Sequence, residues 1–120
     1  MKPQFNTLSK DIQKEIVRHL FYYSDCHIEH ANGVSSVQVS YMLKSKYADD
    51  EWISGEYTKE EFGIKFDGNY AWEKAWTSLE NQHRKSWENI DSESKKKCYK
   101  EFEEFIDRKA EEEVERILND

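Results

Sequence analysis

Apolar residues recur at helical spacing in three stretches of this chain and alternate with polar ones in a fourth. Ile12, Ile16 and Leu20, with Val17 and Phe21 beside them, follow Thr7 and Ser9, either of which can cap a first turn, and predict a helix over residues 9–22. Trp72, Ala75, Trp76, Leu79, His83 and Trp87 form a stripe that predicts a second helix over residues 70–88, capped by Asn69 or Asp67. Asp91 then caps a long third helix whose stripe is Cys98, Phe102, Phe105, Ile106, Ala110, Val114, Ile117 and Leu118. The last two helices are expected to pack antiparallel.

The alternating stretch lies between the first two helices. Val37, Val39, Tyr41 and Leu43 interleave with Gln38, Ser40 and Met42, a period of two with β-branched residues that favours a strand. Asn32-Gly33 ahead of it is a strong hairpin signal, since both residues tolerate positive φ, so residues 26–43 are expected to form an antiparallel hairpin. The same stretch has a competing helical reading, in which Ser35-Ser36-Val37-Gln38 is a capping box and Val39, Leu43 and Tyr47 share a face. Residues 47–69 read as irregular and acidic, broken by Gly55, Gly63 and Gly68, with one capped turn at Thr58-Lys59-Glu60-Glu61. The expected fold class is therefore α+β: one domain over residues 1–120, with an N-terminal helix, a β-hairpin and two longer C-terminal helices. No repeat or low-complexity tract interrupts it, and the lone proline, Pro3, stands outside every element.

Composition changes this picture in one respect. Only 37% of the 120 residues are hydrophobic and the mean hydropathy is -1.03, values that lean toward disorder, but four Trp, seven Tyr and six Phe supply large rings that build a core from few positions. No stretch has the apolar length of a membrane span, and Met1-Lys2-Pro3-Gln4-Phe5 lacks the apolar run of a signal peptide, so a cytoplasmic protein is expected. Cys26 and Cys98 match no zinc or redox spacing and read as two free thiols in a reducing compartment.

Charge is unevenly spread. Residues 49–67 carry Asp49, Asp50, Glu51, Glu56, Glu60, Glu61 and Asp67 against Lys59 and Lys65, and residues 101–120 hold nine acids against three bases. Lys95, Lys96, Lys97 and Lys100 form a basic run between them. Such asymmetry bears on partners rather than on fold. Candidate chemistry is thin. Cys26, His27 and His30 are ligand types, but positions 27 and 30 of a strand project to opposite faces and no second pair stands at a metal-binding spacing, so no metal and no cofactor is expected. Asp67-Gly68-Asn69 opens like a calcium loop without its later glycine and glutamate. No phosphate loop, nucleophile elbow or His-Glu-x-x-His occurs, and the chain is read as a non-enzyme.

Trp52 is the aromatic with least periodic reason to be buried. It lies among Asp49, Asp50, Glu51 and Glu56, with Tyr47 and Tyr57 nearby, and these seven residues are the expected partner-binding surface, aromatic anchors in an acidic rim that would meet a protein with a basic surface. Two resemblances bear on function. The run Val37 to Leu43, Lys46-Tyr47-Ala48-Asp49-Asp50 and Gly55-Glu56-Tyr57 resembles small accessory proteins of tailed bacteriophages, which implies an inhibitor of a host defence or nucleic-acid-handling protein. Gly33 to Leu43 resembles the turn and recognition helix of bacterial helix-turn-helix regulators, which implies sequence-specific DNA binding through residues 34–46. That resemblance departs from the family pattern at Glu29, and a net charge of -7 works against phosphate contacts.

Overall fold

The computed structural model describes residues 4–30 and 53–120, with backbone alone at residues 25, 27–30 and 53–56. Four α-helices carry the described chain: α1 (Lys10–Leu20), α2 (Lys59–Phe62), α3 (Gly68–His83) and α4 (Ser92–Asn119). Among the described residues strand is confined to one antiparallel ribbon, β1 (Asp25–His30) with β2 (Ile53–Thr58), and short 3-10 turns occupy Phe5–Thr7 and Trp87–Asn89.

Each helix starts where its sequence supplies a side-chain acceptor. Ser9 Oγ accepts from the backbone N–H of Ile12, Thr58 Oγ1 from Glu61, Asp67 Oδ1 from Tyr70 and Asp91 Oδ2 from Ser94, so one orphan donor in each first turn is satisfied. The short α2 stops at Gly63, whose φ of 67° is the left-handed conformation a helix end favours in glycine. Gly68 has a different role. Its N–H donates to the Phe21 carbonyl at 2.7 Å, and a Cβ there would stand 2.6 Å from the Tyr22 ring, so the absence of a side chain lets α3 begin against the end of α1.

The core forms where α1 crosses the C-terminal half of α4. Ile12, Ile16, Val17 and Leu20 meet Ile106, Ala110 and Val114, and Phe5, Leu8, Phe21, Cys26, Tyr57 and Ile64 close the cluster around them. The buried Gln13 donates to the Phe5 carbonyl at 2.9 Å, pinning the N-terminal turn over α1. Along the edge of this contact runs a ladder of ion pairs: Lys10 to Glu111 at 3.3 Å, Lys14 to Asp107 at 2.9 Å and Arg18 to Glu103 at 2.6 Å. Basic residues four apart on α1 thus face acidic residues four apart on α4, which fixes an antiparallel register. Lys14 and Arg18 hold the Asp107 carboxyl below its ordinary value, with the Lys14 hydrogen bond as the largest cause. At the far end, Arg116 donates to the Phe62 carbonyl at 2.7 Å and ties α4 to α2.

The α+β class is corrected to a mainly helical fold, and of the hairpin expected over residues 26–43 only the first strand falls among the described residues. Strand does begin at the expected place, but β1 pairs with β2, from Asp25 opposite Thr58 to His30 opposite Ile53, and residues 53–58 belong to the stretch read as irregular. The reason is tertiary. Cys26 and Tyr57 are register partners and both are buried in the core, Tyr57 against the rings of Phe5 and Phe62, whereas Gly55 breaks the alternation that would have revealed a strand. The expected strand over residues 37–43, its helical alternative and the helix-turn-helix-like stretch lie outside the described residues. The second helix ends at His83, short of residue 88, because Arg84 takes a left-handed conformation with φ 54° and the chain turns before Trp87. The third helix begins at its expected cap, but its stripe is not buried throughout: Ile106 is 1% exposed and Phe105 38%.

This difference predicts that Ile106→Ala costs about 2 to 5 kcal/mol of stability, whereas Phe105→Ala costs about 1 kcal/mol, the worth of its edge contact with Phe66; denaturant unfolding of both variants checks it. The ladder predicts a double-mutant coupling between Lys14 and Asp107 of about 0.2 to 1 kcal/mol at neutral pH. Because the folded Asp107 carboxyl titrates below its ordinary value, that coupling is full above the unfolded value and fades as pH falls through the lower, folded one. A coupling that survives full protonation of the carboxyl would contradict the assignment.

Candidate functional site

Of the residues expected to bind a partner, Tyr47, Asp49, Asp50, Glu51 and Trp52 lie outside the described residues, and Glu56 is described only as backbone in β2. Tyr57 is placed in the core at 1% exposure, so its ring is not a surface anchor. The other acidic region, residues 101–120, spends Glu103, Asp107 and Glu111 on the ladder to α1.

A concave feature of the described surface lies elsewhere, between α3 and the N-terminal half of α4. These helices touch through aromatic rings. Trp72 stacks on Tyr99 at a centroid distance of 5.0 Å, lies 5.1 Å from Phe102 and meets Trp87 edge-on at 5.8 Å. Phe102, Phe105, Phe66 and Phe21 continue this contact down into the core, each ring within 6.2 Å of the next. Glu80 accepts from the Trp87 N–H at 2.6 Å, and the Lys95 ammonium sits over the Trp87 ring, which holds the turn between α3 and α4 against both helices.

Beside this contact α3 presents Ala71, Ala75 and Ser78, and small residues there leave the space between the helices unfilled. The result is a cleft of about 560 Å³ with Ala71, Ala75, Leu79, Cys98, Phe102 and Phe105 along it and Lys74, Gln82, Lys97 and Glu101 at its rims. None of its lining residues is buried, and Lys74, Ser78, Gln82, Lys97, Glu101 and Phe105 are exposed, so it is an open groove rather than an enclosed cavity. From Ala71 to His83 it runs about 18 Å, three turns of helix at 1.5 Å per residue.

The chemistry available in the groove is that of a neutral thiol among apolar groups. Cys98 is half-buried, and burial first and the Glu101 carboxylate second push its pKa above the ordinary thiol value. His83 also lines the groove, but a nucleophilic cysteine needs the opposite shift. No cluster of three or more His, Cys, Asp or Glu residues able to hold a metal ion occurs among the described residues, and no described helix is long and apolar enough to cross a membrane. The helical stripes of the sequence predict that α3 and α4 pack antiparallel and carry no expectation of a groove between them. The available signal is the spacing of Ala71, Ala75 and Ser78, three small residues in one row of the helix next to the row that carries Trp72 and Trp76.

The thiol gives a direct measure of the groove. Cys98 is expected to react with a thiol reagent more slowly than free cysteine at pH 8, with a rate that keeps rising above the ordinary thiol value, and Glu101→Gln is expected to lower the thiol pKa and speed the reaction. Following reagent uptake against pH checks this, Cys26 being buried; a rate unchanged by Glu101→Gln would remove the carboxylate as a cause. Comparison with known proteins finds no matching family model, no matching curated protein and no matching solved structure.

Proposed function

We propose that the protein is a cytoplasmic binding module that acts without catalysis, and that the α3–α4 groove is its protein-docking surface. The observation that carries this reading is an open groove three turns long, with apolar side chains along it between polar and charged ones, backed by a ladder of rings that reaches the core. A groove with an apolar strip between polar and charged rims suits an amphipathic helix laid lengthwise, whose apolar stripe meets that strip while its polar flanks meet Lys74, Lys97 and Glu101. The lining supports binding over chemistry, since its polar groups stand at the rims in water and its one thiol is held protonated.

An inhibitor of a host protein, the role implied by the resemblance to small phage accessory proteins, falls within this reading, because inhibition by occupancy needs only a shaped surface. The expected contact through Trp52, Tyr47, Asp49, Asp50 and Glu51 remains a second proposal, and a basic partner surface would be its counterpart.

Capture from the cells in which the chain is made separates the two. A protein retained by the wild type is expected to be lost with Phe105→Glu, at a cost of about 2 kcal/mol or more of binding, and kept with Glu115→Lys on the exposed far half of α4. Loss with Trp52→Ala and not with Phe105→Glu would move the site to the acidic segment.

A further inference from the structure

We infer that the groove docks the same groove of a second copy of this chain, the two α3–α4 hairpins closing face to face with their α4 helices antiparallel. The inference rests on the protein-docking reading of the groove and names its partner. The edge of α4 beside the groove carries Glu93, Lys97, Lys100, Glu101, Glu104 and Arg108, all exposed. Their spacings of four, three, one, three and four residues keep them in one stripe of the helix.

The signs along that stripe run negative, positive, positive, negative, negative, positive. Reversing the direction of the helix inverts every one of them. An antiparallel copy centred between Lys100 and Glu101 therefore sets Glu93 against Arg108, Lys97 against Glu104 and Lys100 against Glu101, each pair occurring twice by the two-fold axis. Sliding the copies by one heptad in either direction sets Lys97 on Lys97 or Glu104 on Glu104, so the charges also select the register. A parallel copy in register sets like on like throughout.

Two further observations fit this axis. The α4 wall of the groove runs from Ser94 to Phe105, so its middle falls at the same level of the helix as the centre of the charge pattern, and the axis brings the two grooves opposite each other. The six charges are also unspent. Whereas Glu103, Asp107 and Glu111 pair with α1, none of the six stands in an ion pair within the described residues. A partner of single charge sign would meet an equal number of repelling groups on this stripe, which favours a copy of the chain over a basic or an acidic protein.

Sedimentation equilibrium of the full chain tests it. A dimer is expected at micromolar concentration, weakened by salt. Lys97→Glu alone and Glu104→Lys alone are each expected to raise the dissociation constant about tenfold or more, since each converts two attractive pairs into repulsive ones. The double variant Lys97→Glu with Glu104→Lys exchanges the members of one pair and is expected to return the constant to within a few fold of the wild type. Circular dichroism confirms that the exposed substitutions leave the fold intact. A wild type that stays monomeric at every concentration, or single and double variants that dimerise alike, overturns the inference. Capture that depends on Phe105 in a monomeric protein would leave the docking groove standing without the dimer, and capture that ignores Phe105 would remove both.

Discussion

The antiparallel packing of α1 on the C-terminal half of α4 sets the position of every other described element. Apolar burial supplies the attraction, through Ile12, Ile16, Val17 and Leu20 against Ile106, Ala110 and Val114. Burial alone is tolerant of a slip by a turn. The ladder from Lys10 to Glu111, Lys14 to Asp107 and Arg18 to Glu103 is not, because a one-turn slide leaves a charge unpaired at each end. Exposed pairs of this kind add little to stability individually, and their larger effect here is to choose one register among several that the apolar stripe would accept.

Once that register is fixed, α4 extends beyond α1. Twenty-eight residues make a helix of about 42 Å, and α1 covers less than half of it, so the N-terminal half of α4 needs another partner. The chain provides α3, positioned by the close approach of Gly68 to Tyr22 and by the Gly68 hydrogen bond to Phe21. The rings of Trp72, Trp87, Tyr99 and Phe102 fill part of this second contact and the small side chains of Ala71 and Ala75 leave the space beside it open. The groove is thus a consequence of uneven side-chain size across a helix pair. The ring contacts from Phe102 through Phe66 to Phe21 join it to the core, so a ligand in the groove meets a wall that is already ordered and the entropic cost of docking is reduced.

The acidity of the chain divides by the same geometry. A net charge of -7 reads as one solvated property of the surface, yet the acids on α4 face two ways. Those directed at α1 are matched by bases and help to build the fold. Glu101 and Glu104, with Lys97 and Arg108, point away from it beside the groove and are free to act on a partner. Local sign therefore matters more to recognition than the total, which governs solubility and encounter.

The residue pattern by itself determined the four helix starts to within a residue or two, because capping depends on neighbours three positions apart: Thr58 and Asp91 each stand at a cap that the order of residues announces, and Ser9 and Asp67 each come from a pair of candidates, Thr7 or Ser9 and Asn69 or Asp67. It also determined the periodic faces of α1 and α4, since 3.6 residues per turn links spacing to side. Only the tertiary structure decided which strand pairs with β1, that Tyr57 lies inside and Phe105 at the surface, and that α3 and α4 close through rings and leave a groove beside them. Spacing along a helix states which residues share a face, while burial depends on what another part of the chain, dozens of residues away, brings against that face.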